Sequence, residues 1–135
     1  MDKDVLYNKI EIIERCLIRI KEVYADNPKN LEDYTKQDSI VLNIQRAIEA
    51  SIDIAMHIVS EKKLGIPKSS RDAFEVLEYN KIINNEILKK LKNMVGFRNI
   101  AVHNYRQISL DILQKIVETN LADFNEFICM ISKII

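Results

Sequence analysis

Apolar residues recur along this chain every three or four positions, the spacing of one face of an α-helix. Over the first 25 residues the stripe is Leu6, Ile13, Cys16, Leu17, Ile20 and Tyr24. Glu11, Glu14, Arg15, Lys21 and Glu22 fill the other side. Asp26, Asn27 and Pro28 stop this helix,. A polar stretch over residues 28–36 leads to a second helix expected over 37–63. Its apolar positions, from Ile40 and Val41 to Ile58 and Val59, spread round most of the circumference, which marks a central helix,. Arg46, Asp53 and His57 share one side of it, and a polar seam on a buried helix needs partners,. Gly65-Ile66-Pro67 ends the element. Ser69-Ser70 has the character of an N-cap for a short helix that turns Phe74 and Leu77 inward and breaks at Asn80,. A fourth helix carries Ile87, Leu91, Met94 and Val95 on one stripe and runs through Gly96. Ser109 caps a last helix with Asp111 in its first turn and a continuous apolar face from Leu113 to Ile131,. The pattern predicts an all-α fold: an antiparallel bundle of four long helices plus a short one.

Composition narrows this further. A chain of 135 residues is read as one domain, 1–135, long enough to bury a core,. Its 2 Gly and 2 Pro are too few to turn the strands of a sandwich or barrel,. No run of about 18 apolar residues is present, so no membrane span is expected. The charged start, Met1-Asp2-Lys3-Asp4, does not read as an export signal, and the expected location is cytoplasmic with reduced thiols,. Cys16 and Cys129 both fall on apolar stripes and are expected to be buried,. There is no CxxC, no HxxxH and no Gly-rich phosphate loop, so neither a metal nor a cofactor is expected,.

Charge adds a location. Lys plus Arg and Asp plus Glu each number 20, and this net zero argues against a general nucleic-acid coat protein,. The balance is uneven, however. Residues 87–110 hold Lys89, Lys90, Lys92, Arg98 and Arg106 and no acidic residue, so the remainder is acidic overall. A solvated basic face is the plain reading. The alternative is a confined anion-binding region, with nucleic acid kept there by the acidic remainder.

Inside that window lies Arg98-Asn99-Ile100-Ala101-Val102-His103-Asn104-Tyr105. A neutral imidazole takes the proton of a ribose 2′-OH, and a guanidinium holds a phosphate by two parallel hydrogen bonds. These are the groups that metal-free phosphodiester chemistry needs. At about 100° per residue Arg98 and His103 stand about 140° apart on a straight helix. Either the helix ends before His103, with Asn104 able to act as a left-handed cap nearby, or one side chain reaches around. At a helix C-terminus the carbonyl ends favour an imidazolium, which suits an acid. Asn99 is a candidate for orienting Arg98. Asp53 is a candidate partner of Arg98 or Arg46 in the interior, and His57 a partner of Asp53.

The segment from Arg98 to Tyr105 resembles the RX4HXY motif of the HEPN superfamily, specifically its HepT-like toxins. The likeness extends to Ile13-Glu14-Arg15-Cys16-Leu17, Asn43-Ile44-Gln45-Arg46-Ala47 and Ile52-Asp53-Ile54-Ala55. It continues in Pro67-Lys68-Ser69-Ser70-Arg71-Asp72-Ala73-Phe74 and Met94-Val95-Gly96-Phe97-Arg98-Asn99. It implies an α-helical homodimer, a metal-independent RNase toxin with two motifs across a shared cleft, and Arg98 and His103 as the catalytic pair. It also implies a minimal nucleotidyltransferase antitoxin, MntA-like, that transfers AMP to the tyrosine at position 105. A two-fold axis would bring two histidines together, one as base and one as acid. The competing readings are a non-catalytic HEPN module that binds nucleotide or nucleic acid or scaffolds a nucleotidyltransferase, and a plain helical dimerisation domain.

Overall fold

Seven helical segments and two short turns account for most of the chain in the computed structural model, which describes residues 2–135. Helix α1 (Lys3–Tyr24) begins where the Asp2 carboxylate accepts the Asp4 N–H and ends at Ala25 in a left-handed conformation,. A 3₁₀ turn, Pro28–Glu32, links it to α2 (Tyr34–Glu61). Helix α2 starts three residues before the expected point because the Asp33 side chain caps it, accepting from Lys36 N–H. Helix α3 (Ser70–Tyr79) is capped by Ser69, α4 (Asn85–His103) by Asn84 and α5 (Leu110–Lys115) by Ser109. A wider π turn, Ile116–Asn120, joins α5 to α6 (Leu121–Ser132). The last helix is therefore one apolar ridge with a widened turn, where periodicity alone predicts an unbroken helix.

Side-chain pairings fix the directions. Lys9 meets Asp53 while Arg19 shares a groove with Asp38, so α1 and α2 are antiparallel. Lys92 meets Glu75 and Arg98 meets Ser70, so α3 and α4 are antiparallel too. Tyr24 at the end of α1 donates to Glu118 in the π turn, which sets the last helix antiparallel to α1. The buried residues form one hydrophobic cluster. Helix α2 supplies its centre, with Ile40, Ile44, Ile54 and Ile58 wholly enclosed. Phe74 of α3 meets Phe127 of α6 edge to face, ring centres 5.8 Å apart,. Burying one such ring contributes about 2–3 kcal/mol, so these two lock the short helix onto the last one. The expected bundle of four long helices plus a short one is what forms, all-α among the described residues.

Four expectations are corrected. Cys129 is exposed, because α6 turns it away from the stripe that buries Phe127 and Ile131; Cys16 is buried as expected. Asp53 lies at the surface and pairs with Lys9 at 2.9 Å, so it holds neither Arg98 nor Arg46. His57 stands 3.8 Å from Glu61, not beside Asp53, and its buried Nε2 makes no hydrogen bond among the described residues. Asn104 ends α4 with φ −143°, outside the left-handed region.

Candidate active site

The motif occupies the last turns of α4 and the 3₁₀ turn Tyr105–Gln107 that follows. Helix α4 continues through His103 and stops at Asn104, whose N–H donates to Ile100 O at 2.8 Å. Both motif residues therefore sit on one helix and diverge as the 100° step requires. Arg98 is half-buried and points beneath the start of α3, where its Nη2 donates to Ser70 Oγ at 3.4 Å. Its buried Nε has no hydrogen-bond partner among the described residues. A guanidinium fork with donors left over is equipped to receive an anion. Asn99 is half-buried beside it.

Helix α3 reaches α4 closely here. A Cβ on Gly96 would stand 3.0 Å from Arg71 Nη2, and Arg71 Nε donates to Lys92 O at 3.3 Å. Gly96 therefore gives the Arg71 guanidinium room to lie across the backbone of α4, two residues before Arg98. Sequence reading misses Ser70 and Arg71 as neighbours of Arg98. Both belong to one block of family likeness, and their sequence gives no sign that this block folds onto the motif.

His103 and Tyr105 look outward. His103 is exposed on the final turn of α4. Tyr105 is 37% exposed and donates its hydroxyl to the Asp38 carboxylate at the start of α2, with Gln37 Oε1 at 3.5 Å. Burial of the ring comes first, and the Asp38 bond and charge second, in pushing the phenol well above its ordinary pKa near 10,. Asp38 carries no signal in the sequence, because its partner lies 67 residues away. Close by in the chain, Ile100 and Val102 on the last turns of α4 and Leu110 and Ile112 at the start of α5 are exposed as well. Such a collar of apolar side chains beside a polar centre is characteristic of a protein–protein contact.

The basic window is less free than its count suggests. Lys92 is 2.6 Å from Glu75, and Lys90 is 3.4 Å from the buried Asp123 and 3.5 Å from Glu86. Two of its five cations thus tie α4 to α3 and α6. Among the described residues no three His, Cys, Asp or Glu side chains gather as a metal cage, and no helix is long and apolar enough to cross a membrane.

An all-helical bundle whose fourth helix ends in this Arg-to-Tyr motif is of the HEPN class. Within it, residues 13–131 match the family described as Ribonuclease HepT-like, and the chain belongs to the HepT-like ribonuclease family. It is 49% identical over 128 residues to the mRNA nuclease HepT of Shewanella oneidensis, covering 95% of this chain and 96% of that one. It is 30% identical over 108 residues to the tRNA nuclease HepT of Aphanizomenon flos-aquae, covering 77% and 71%. The fold superposes on the tri-AMPylated Shewanella oneidensis HEPN toxin in complex with MNT antitoxin with a TM-score of 0.93. There the identity is 48%, over 98% of this chain and 99% of that one.

Proposed function

We propose that residues 1–135 act as one domain, a cytoplasmic, metal-independent endoribonuclease toxin whose cleavage centre is completed by a second copy of the chain. The observation that carries this is the state of Arg98: half-buried, held by Ser70, with an Nε that has no partner among the described residues. The Nη donors that Ser70 does not use are what an RNA phosphate would take up,. The divergence of Arg98 and His103 supports a composite centre, because one chain alone aims the two groups apart. The apolar collar of Ile100, Val102, Leu110 and Ile112 supports the second copy, since a two-fold contact there covers it and brings two motifs face to face,.

The chemistry follows from those groups. One His103 takes the proton of the ribose 2′-OH while the 2′-oxygen attacks the adjacent phosphorus. The bond from phosphorus to the 5′-oxygen breaks, and the other His103 protonates that leaving oxygen. The products are a 2′,3′-cyclic phosphate and a free 5′-OH. Arg98 stabilises the charge that builds on the non-bridging oxygens, and Asn99 orients it. Tyr105 is the acceptor of AMP from a partner nucleotidyltransferase antitoxin of the MntA type. The added phosphate pairs with Arg98 or its copy in the second chain and competes with RNA for that cation.

Cleavage of RNA in the presence of a chelator tests this. Arg98→Ala is expected to lower the rate about 10²–10³-fold, and His103→Ala about 10²–10⁴-fold. Wild-type rates in both variants would overturn the assignment. A mixed dimer with one His103→Ala chain is expected to lose most activity per cleft; full activity would exclude the shared-histidine scheme.

A further inference from the structure

A second cationic feature lies outside the motif. Between α1 and α2 runs an open groove of about 570 Å³. Arg15 and Arg19 reach it from α1 and Arg46 from α2, over an apolar floor that includes Ile12 and Leu42. The arginines come from the part of the sequence whose summed charge is acidic, so counting along the chain hides them. Arg15 pairs with Glu11 on its own helix, in an exposed pair of small worth,. Arg19 and Arg46 make no ion pair and no side-chain hydrogen bond among the described residues. The one carboxylate lining the groove is Asp38, and its oxygen already accepts the Tyr105 hydroxyl.

We propose that this groove binds a short single strand of phosphodiester-linked ribonucleotides that enters past Tyr105. The reading rests on the RNA chemistry proposed above and extends it to a site remote from Arg98. Three arginines lining one groove match a run of phosphates, because each guanidinium fork can grip non-bridging oxygens through two donors,. The apolar floor, with Leu42 43% exposed, offers a surface for base faces, and single strands bind where a basic track runs beside such a surface,. The Tyr105 hydroxyl is bonded to Asp38, which lines the groove, so a strand crossing Tyr105 or attached to it starts at the groove's edge. Two sources supply this ligand: the flank of a substrate RNA, and AMP units joined to Tyr105. A tethered chain would fill the groove at high effective concentration.

The test uses the full chain and a fluorescein-labelled hexamer of adenylate with 2′-O-methyl riboses, which cannot be cleaved by internal attack. Arg19→Ala/Arg46→Ala is expected to weaken binding tenfold or more. Its log–log salt slope should become shallower by about 1.4, at about 0.7 for each phosphate no longer neutralised. In the second arm, protein carrying AMP units on Tyr105 is digested with a phosphodiesterase. Faster release of AMP from the double variant than from wild type assigns the groove to the attached chain. Weakened hexamer binding with equal release assigns it to substrate RNA. Affinity within twofold of wild type together with equal release overturns the proposal. Both positions are exposed, so the variants are expected to fold, which circular dichroism checks. Cleavage of a dinucleotide too short to reach the groove is scored in parallel. Its retention in the variants separates failure of the groove from failure of the Arg98 centre.

Discussion

At the residue scale, environment decides what each reactive group can do. Cys16 is enclosed, and burial raises its thiol pKa more than the nearby Arg46 lowers it,. Cys129 is exposed. Cys129 should therefore react with a maleimide at pH 7 while Cys16 resists until the chain unfolds, which peptide mapping after timed labelling measures. The same logic applies to two tyrosines. Burial, then the Glu118 hydrogen bond and charge, push Tyr24 up to about 12, and Tyr105 is raised as well. A phenol that ionises later in the folded chain than in the unfolded one gives stability that is whole below pH 10. That stability is lost as pH rises from about 10 through about 12. Tyr24→Phe is expected to cost about 1 kcal/mol at neutral pH by removing the hydrogen bond. It should also flatten the alkaline decline, as urea titrations at pH 8 and pH 11 would show.

At the scale of elements, the sequence is most legible where periodicity is long. The caps at Ser69 and Ser109 are readable from local chemistry, whereas the fourth helix runs through His103 and stops at Asn104 without the left-handed cap its sequence suggests. Asp33 gives no sign of capping because it sits in a polar run with no stripe to announce it. The π turn is invisible, since apolar spacing at 113, 116, 117, 121 and 124 fits an unbroken helix equally well. The site is half legible. Arg98, His103 and Tyr105 are close in sequence and carry a motif, whereas Ser70, Arg71 and Asp38 reach them only through tertiary packing. Asp53 departs from expectation because sharing a helix face with polar neighbours does not make a residue face inward; it meets Lys9 at the surface. Gly96 gives a prediction on α4. Glycine inside a helix costs up to about 1 kcal/mol relative to alanine, and the atom a new methyl would meet is the far end of a flexible, exposed arginine. Gly96→Ala is expected to raise stability by about 0.5 kcal/mol in urea unfolding and to displace Arg71 from α4.

At the scale of the whole molecule, the ends of α1 and α4 and the starts of α2 and α5 converge at one pole of the bundle. The motif, the groove and the apolar collar all belong to that pole. Val102→Glu/Ile112→Glu changes two exposed collar residues and leaves the core intact. It is expected to give a folded monomer in sedimentation velocity with RNA cleavage reduced at least tenfold, because the proposed centre then lacks its second histidine. Net charge zero is a poor guide to all of this. It averages over a molecule in which Lys90 and Lys92 are committed to ion pairs while Arg19 and Arg46 are left open. The exposed thiol of Cys129 has a use that follows from its address. Asp123 of α6 meets Lys90 of α4, which is 13 positions before His103, about 20 Å along the axis,. Cys129 lies about 9 Å further down α6, away from the motif. A dye on that single sulfur would sit about 30 Å from His103, within energy-transfer range of a labelled strand yet out of its way. The molecule thus carries its own attachment point for an optical ruler between its silent pole and its reactive one.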